Sequence, residues 1–486
     1  MSLRVGRPDR LAFEWWLVLV AVSGLVGASL ASGFTQRFDW LLYDFAQRSL
    51  PHVPQQGVIL VTVDDRSVAE SGPWPWSRAA QAQVVAAIVR ARPRAVGLDI
   101  LLMEAGDPAG DAALAEAMGA KGIGAGAPVF LPLEFSVPGR DGASFTLLEP
   151  QPAFAAAAAG LGHVNLAPDA DGVIRRIYLD YGQGGQHWPH IVRLLAGQER
   201  PARAAQPARQ SDPTAPLEAE HPALIAFTGP QGSFPAISAS SVMRGEVPPS
   251  AFAGKIVLVG VTATGIGDTY ATPVGTDQSL MSGLEIQANL LNSILARRVI
   301  TPIEGPWLYG FVLTPILAMM LALRRMRPRW TLAILLALLA ASLGGALLAL
   351  GIWHIWLPPG SALLGLIAMY PLWSWRRLAN LSATIGAELE KLEAEHDPLE
   401  RPRPVLTQSD FVERQIGLLR SAIDRERDLR RFLIDRIAQM PDAVVIADLA
   451  GKVVISNDAA QVLWLSLGGE GAVASVGPLL ARLQRG

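Results

Sequence analysis

The sequence predicts an α/β domain, built on a mostly parallel sheet with helices on both faces. The domain is set among four transmembrane α-helices and followed by a helical linker and a small α+β segment. Three observations predict this. Four long apolar blocks are edged with tryptophan. Short β-branched runs alternate with amphipathic helical patterns between the first two blocks. Charged helical periodicity takes over after the last. The 486-residue chain is 50% hydrophobic and only 17% charged, whereas a soluble globular chain is about a quarter charged, so a wholly soluble enzyme is disfavoured. The net charge of −2 argues against a nucleic-acid partner, which normally requires a basic excess. With no cysteine, disulfides, cysteine nucleophiles and thiolate metal sites are excluded.

The apolar blocks are residues 15–33, 307–323, 330–350 and 355–373, each roughly the 17–25 residues that cross a hydrocarbon core as a helix. Trp15, Trp16, Trp307, Trp330, Trp356 and Trp373 sit at block ends, the level where amphipathic indoles collect. Gly24 and Ala28 lie in small-xxx-small spacing, which permits close helix contact. Arg4, Arg7 and Arg10 precede the first block, Arg324–Arg329 separate the second and third, and Arg376 and Arg377 follow the fourth. Basic residues stay cytoplasmic, so residues 1–14 are expected inside, 34–306 outside, and 376–440 and 441–486 inside. The first block is read as an uncleaved anchor because it is long for a signal peptide and lacks a clear cleavage site.

Within 34–306, Val58–Val63 reads as a buried strand, Ser77–Arg90 as a helix capped by Ser77, Ala95–Leu102 as a strand and Ala112–Met118 as a short helix. Val129–Phe135 follows as a strand. Val164–Asn165 and Gly172–Tyr181 are expected as antiparallel strands joined by the turn PDADG. Leu224–Thr228, Ser238–Arg244 and Lys255–Val261 continue as strand, helix, strand, and Gly283–Arg297 as the closing helix. Strand–helix alternation of this kind implies a parallel sheet. Residues 197–222, rich in Pro, Ala and charge, are expected to form a disordered surface insertion.

Polar residues collect where strands end. Asp64, Asp65, Asp99 and Asp268 are expected near the carboxyl edge of the sheet, where open parallel sheets bind ligands. The loop Gly72–Arg78 brings Trp74 and Trp76 as candidate walls and Arg78 as a partner for an anion or a carboxylate. The alternative for the same residues is structural: aspartates capping turns and a Trp-Pro elbow packing as a rigid unit. The segment DADG (Asp169–Gly172) resembles the start of a calcium loop but lacks its later ligands, so a hairpin turn is expected. His187 and His190 have no third ligand. No metal or cofactor is expected, and no hydrolase or nucleotide-binding motif is present.

The stretches WLLYDFAQR (Trp40–Arg48), VDDRSVAESGPWPWSR (Val63–Arg78), AVGLDILLME, GHVNLAPDADGVIRRIYL, GKIVLVGVTATGIGDTYATPVG and MSGLEIQANLLNSIL (Met281–Leu295), in this order and spacing, resemble the type-two CHASE extracellular sensory domain. The resemblance implies an extracytoplasmic sensor with one span before it and three after, coupled to a histidine kinase, nucleotide cyclase or Ser/Thr kinase. It implies no particular ligand.

Beyond the last block, Leu378, Leu381, Ile385, Leu389 and Leu392 recur at helical spacing as a short coiled-coil-like stretch, and Phe411–Met440 forms a second helical run. PDAVVIADLAGKVVISNDAAQVLW (Pro441–Trp464) resembles the opening of a PAS domain, expected to be incomplete by Gly486. No phospho-accepting histidine box or ATP-binding box appears, so the output is expected beyond this sequence. The reading is the sensory half of a membrane receptor in the bacterial inner membrane. Its expected partners are the lipid bilayer, an unidentified extracytoplasmic ligand, a second copy in a homodimer, and a response regulator reached through a histidine kinase output. A cyclase input module and a non-catalytic membrane scaffold are the alternatives.

Overall fold

The computed structural model describes residues 10–49, 57–119, 127–137, 145–183, 186–198, 216–275, 280–394 and 411–484, and the chain divides into two compact units, 1–370 and 371–486. In the first unit, helix α1 (Arg10–Ser32) is followed by α2 (Gln36–Ser49), then β1 (Val58–Val63), α3 (Asp65–Ser71), α4 (Arg78–Arg90), β2 (Ala95–Asp99) and α5 (Pro108–Met118). Next come β3 (Val129–Ser136), β4 (Thr146–Leu148), α6 (Pro152–Ala157), β5 (Gly160–His163), β6 (Arg176–Gln183), β7 (Gln186–Pro189) and α7 (Ile191–Leu195). The domain ends with β8 (Glu218–Leu224), β9 (Ala236–Ser238), α8 (Ala239–Met243), β10 (Ile256–Val261), β11 (Thr269–Tyr270), β12 (Met281–Ser282), α9 (Gly283–Leu295) and β13 (Thr301–Pro302). Helices α10 (Pro306–Arg325) and α11 (Pro328–Leu348), the short β14 (Ile355–Trp356) and α12 (Gly360–Ala394) complete this part of the chain.

The central sheet runs β4-β3-β2-β10-β1-β9, with β5 beside the first half of β3 and β4 beside its second half. Only β4 is antiparallel. Side chains alternate faces along a strand, and two separate cores follow from that alternation. Ile59, Val61, Val63, Val96, Leu98, Val257 and Val259 pack with Val84, Val85 and Ile88 of α4, Leu114 of α5 and Val242 of α8. Val58, Leu60, Ala95, Phe130, Ile256 and Leu258 pack with Ile191 and Leu195 of α7 and Leu284, Leu290 and Leu291 of α9. The predicted sandwich of a mostly parallel sheet between helices is therefore present. All six residues of β1 are buried, as a strand covered on both faces requires.

Two expectations are corrected in the second half of the domain. Residues 172–181 do not pair with 164–165: β6 forms its own antiparallel sheet, β7-β6-β8, and only Ala167 bridges Arg176. The predicted insertion 197–222 ends in structure. Residues 199–215 lie outside the described residues, but Glu218–Pro222 belong to β8, which pairs with β6 from Arg176↔Leu224 to Gly182↔Glu218. Its Pro222 is tolerable because β8 is an edge strand, where a missing N–H breaks no second ladder.

Three helical segments are long and apolar enough to cross a membrane: Trp15–Ser32, Pro306–Arg325 and Arg329–Trp353. The fourth block begins later than the apolar run suggested. Ile355 and Trp356 pair with Thr301 and Pro302, prolines 358 and 359 follow, and α12 starts only at Gly360. Arg376 comes after about 24 Å of helix at 1.5 Å per residue. The helix ends pair consistently. Trp15 Nε1 donates to the Met320 carbonyl (3.1 Å), while Ser29 Oγ lies 3.1 Å from Ser361 Oγ. Close approach occurs at Gly365, where a Cβ would lie 2.7 Å from both Val26 and Ile316; Gly24, singled out by its spacing, faces open space.

The second unit holds the end of α12, α13 (Phe411–Ala438), the antiparallel pair β15 (Val445–Ala447) and β16 (Val453–Ser456), α14 (Asp458–Ser466) and α15 (Val476–Leu483). Asn457 caps α14 through the Ala460 N–H (2.9 Å) and also accepts from Val444 N (2.9 Å), tying the helix start to the residue just before β15.

Candidate functional site

The carboxyl ends of β2, β3, β5 and β10 surround a cavity of about 340 Å³. Asp99 and Ile100 enter it from the end of β2, Glu134 from β3, Val164 and Leu166 from the turn after β5, and Val261 from β10. The loop Ile266–Tyr270 and the first turn of α9, with Gly283, Leu284 and Gln287, close the other side, and Trp74 reaches in from the loop before α4. The position follows from topology. Parallel strands all end at one edge, and the loops leaving it are free to form a concave surface.

The cavity is acidic. Asp99, Glu134 and Asp268 line it, and among the described residues no Lys, Arg or His does. Burial pushes Asp99 up to about 6; the negative charges of Asp268 and Glu134 add to this, while the Gln287 amide opposes it. Glu134 is raised by burial and then by Asp268. Tyr270 is raised by burial and then by Asp268, Glu134 and Asp99. Like charges that feel one another in a partly enclosed space each disfavour the other's ionisation.

Gln287, 3% exposed, is the most constrained group. Its Nε2 donates to Asp99 Oδ2 at 3.0 Å, which leaves Oε1 buried without a hydrogen-bond partner. With Asp99 ionised the nitrogen faces it, because an ionised carboxylate only accepts. The Asn165 amide is already spent: its Oδ1 accepts from Phe135 N (2.9 Å) and its Nδ2 donates to Phe135 O (2.7 Å), extending the β3–β5 pairing. Helix α9 is held from behind. Glu285 accepts from the N–H groups of Gly232 and Ser233, the side chain of Asn289 accepts from Thr228 N, and Ser293 Oγ donates to the Ala226 carbonyl.

Of the seven residues singled out by sequence, Trp74, Asp99 and Asp268 meet at the cavity. The other four go to different partners. Asp64 caps α3, accepting from Ser67 N and Ser238 Oγ at 2.8 Å each; burial alone would raise it, but these hydrogen bonds hold it below its usual range. Asp65 accepts from Thr264 N and Oγ1 and latches the loop after β10. Trp76 donates Nε1 to the Gly72 carbonyl and packs in the core beneath α4. Arg78 donates to the Glu104 carbonyl (3.0 Å), approaches Asp111 at 3.5 Å and lies over the Phe154 ring. Glu134, Tyr270 and Gln287 were not anticipated. Glu134 interrupts the run VFLPLEFS near its end, and Gln287 stands among apolar residues of a buried helix; both are signals of a polar site.

The DADG turn serves an internal cation. Arg175, its side chain 3% exposed, pairs with Asp44 (2.7 Å), Asp171 (2.9 Å) and Asp169 (3.2 Å) and lies over Trp40, fastening α2 to the domain. His187 faces Glu220, whereas His190 is buried against His163 with ring centroids 4.7 Å apart. Among the described residues, no group of three or more His, Asp or Glu side chains is placed to hold a metal ion.

The sequence profile of the CHASE2 domain family matches residues 17–323. No curated protein and no solved structure matches the chain.

Proposed function

The chain belongs to the CHASE2 domain family of extracellular sensory domains, and on that premise we propose that it is a membrane receptor whose α/β domain reads a chemical signal outside the cytoplasm. The signal passes through four spans to a cytoplasmic output. One observation carries the reading: α9 lines the cavity, and a short connection leads from α9 to the apolar helix α10. After α9 the chain forms β13, whose Thr301 and Pro302 pair with Ile355 and Trp356, and then enters α10. The same pairing holds the turn that launches α12, and Trp356 stacks with Trp40 and meets Tyr43 edge-on. Asp39 of α2 accepts from the first N–H of α12, that of Gly360, at 2.7 Å. A change in α9 thus has two routes to the spans, one covalent through α10 and one through the β13–β14 pair to α12.

These contacts support the proposed topology. The turn between α11 and α12 lies on the domain's side, so α10 and α12 lead away from it and α11 returns. With the N-terminus cytoplasmic, four spans return the C-terminal segment to the cytoplasm, with Arg376 and Arg377 at the inner boundary. We place the protein in the bacterial inner membrane as a homodimer, paired through the cytoplasmic part of α12 and α13. The segment from Pro441 is read as the start of a PAS domain, relaying to a histidine kinase that acts on a response regulator; a cyclase output is the alternative.

The cysteine-free chain makes the topology testable with single cysteines and a membrane-impermeant maleimide. In spheroplasts, Glu116→Cys, on the exposed face of α5, is expected to label at once. Asp424→Cys, whose side chain is 72% exposed, is expected to label only after lysis. Labelling of both from outside, or of Glu116→Cys only after lysis, contradicts the proposal.

A further inference from the structure

We propose that the acidic cavity binds a small organic cation carrying an ammonium or guanidinium group. This rests on the sensory reading above and names its ligand class. The lining presents, among the described residues, acceptors without a basic partner: Asp99, Glu134 and Asp268. Among the described residues, the carboxylates of Glu134 and Asp268 receive no hydrogen bond or ion pair. The second, independent observation is Gln287. Its side chain lines the cavity and is buried, its Nε2 donates one hydrogen bond to Asp99, and its Oε1 has no hydrogen-bond partner among the described residues. A buried acceptor left unpaired is costly, and an N–H donor that reaches it from the cavity would remove that cost.

Other ligand classes fit less well. An anion would meet three carboxylates. An apolar ligand would bury them and Gln287 Oε1 without partners. A divalent metal needs three or more ligands converging at bonding distance, an arrangement absent among the described residues. An organic cation spreads its charge and reaches separate acceptors with several N–H groups. Its methylene stem would lie against Ile266, Trp74 and Tyr270, and the rings of Trp74 and Tyr270 also favour a cation on their faces. The volume of about 340 Å³ is at the small end of ligand cavities. Bound there, the cation links the sheet edge and the Asp268 loop to Gln287 on α9, the helix that leads to the spans.

The test is isothermal titration calorimetry of the full chain in lipid nanodiscs, with putrescine as the probe. Putrescine is expected to bind with submillimolar affinity, weakening with added salt as screening requires. Asp268→Asn and Glu134→Gln are each expected to weaken it about tenfold, equivalent to about 1.4 kcal/mol. Among the described residues neither side chain holds a structural hydrogen bond, so the ligand-free thermal midpoint of each variant should not fall. The proposal is overturned by absence of binding to about 10 mM putrescine, by affinity unchanged in both variants, or by calcium binding that depends on these carboxylates while putrescine does not bind. If putrescine fails while Glu116→Cys still labels from outside, the ligand class is wrong and the receptor topology stands.

Discussion

Asp99 shows how much a single position depends on its surroundings. It ends a buried strand, receives one hydrogen bond from Gln287 and shares a cavity with two other carboxylates. Burial chiefly raises its pKa from 3.8 to about 6. The native state therefore holds a proton that the unfolded chain releases near its ordinary value, and stability falls as pH rises through that window. Asp99→Asn keeps the group neutral and still accepts from Gln287. Its gain in thermal midpoint should be small near about pH 4, grow to about pH 6 and remain constant above. An equal gain at about pH 4 and about pH 8, read by differential scanning calorimetry, would show that the carboxylate is not under this strain. At this scale the sequence was legible only in part. Aspartates after strands were visible, but Asp64 and Asp65 cap and latch while Asp99 and Asp268 face the cavity, and only the geometry of the following loop separates the two fates. Glu134 and Gln287 were hidden because each sits in an otherwise apolar run that reads as core.

Elements were legible where periodicity is strong. The β1, β2, β3 and β10 runs, α4 with its Ser77 cap, and α9 all follow from apolar spacing, because a strand or helix buried against a sheet must repeat at 2 or 3.6 residues. Short elements held by tertiary contact were not legible. Helix α2 depends on Arg175–Asp44 and on Tyr43, whose hydroxyl donates to the Ile225 carbonyl (3.1 Å). Strand β8 was obscured by the Pro-rich stretch before it. The junction of α2 with α12 makes a prediction at this scale. A Cβ on Gly360 would lie 2.7 Å from Thr35 Cβ and 2.8 Å from the Asp39 carboxylate, whereas one on Gly310 meets nothing within 4 Å. Gly360→Ala should cost about 1–3 kcal/mol as an overpacked contact, and Gly310→Ala should leave stability level or raise it. Equal thermal midpoints for the two variants in detergent would mean that the junction is loose.

For the molecule as a whole, the apolar blocks were the most legible feature: among the described residues three helices are long and apolar enough to cross a membrane, because a bilayer fixes the length of what crosses it. Sequence did not reveal how the α/β domain is joined to the apolar helices. The two-residue pair β13–β14 and the cluster of Trp40, Tyr43 and Trp356 join segments more than fifty residues apart in the chain through contacts too short to leave a periodic signature. They tie α9, α10 and the start of α12 together within the first unit. A state of the cavity can alter helix pairing only if its occupied and empty forms differ in free energy between two arrangements. Asp268→Lys supplies an ammonium to the cavity without any added ligand, and Leu378→Cys, at a 63% exposed position of α12, reports pairing by disulfide cross-linking in native membranes. The account predicts a cross-linked dimer whose yield changes at least about twofold when Asp268→Lys is added. A chain that stays monomeric in both forms, or a dimer yield identical with and without Asp268→Lys, would contradict it.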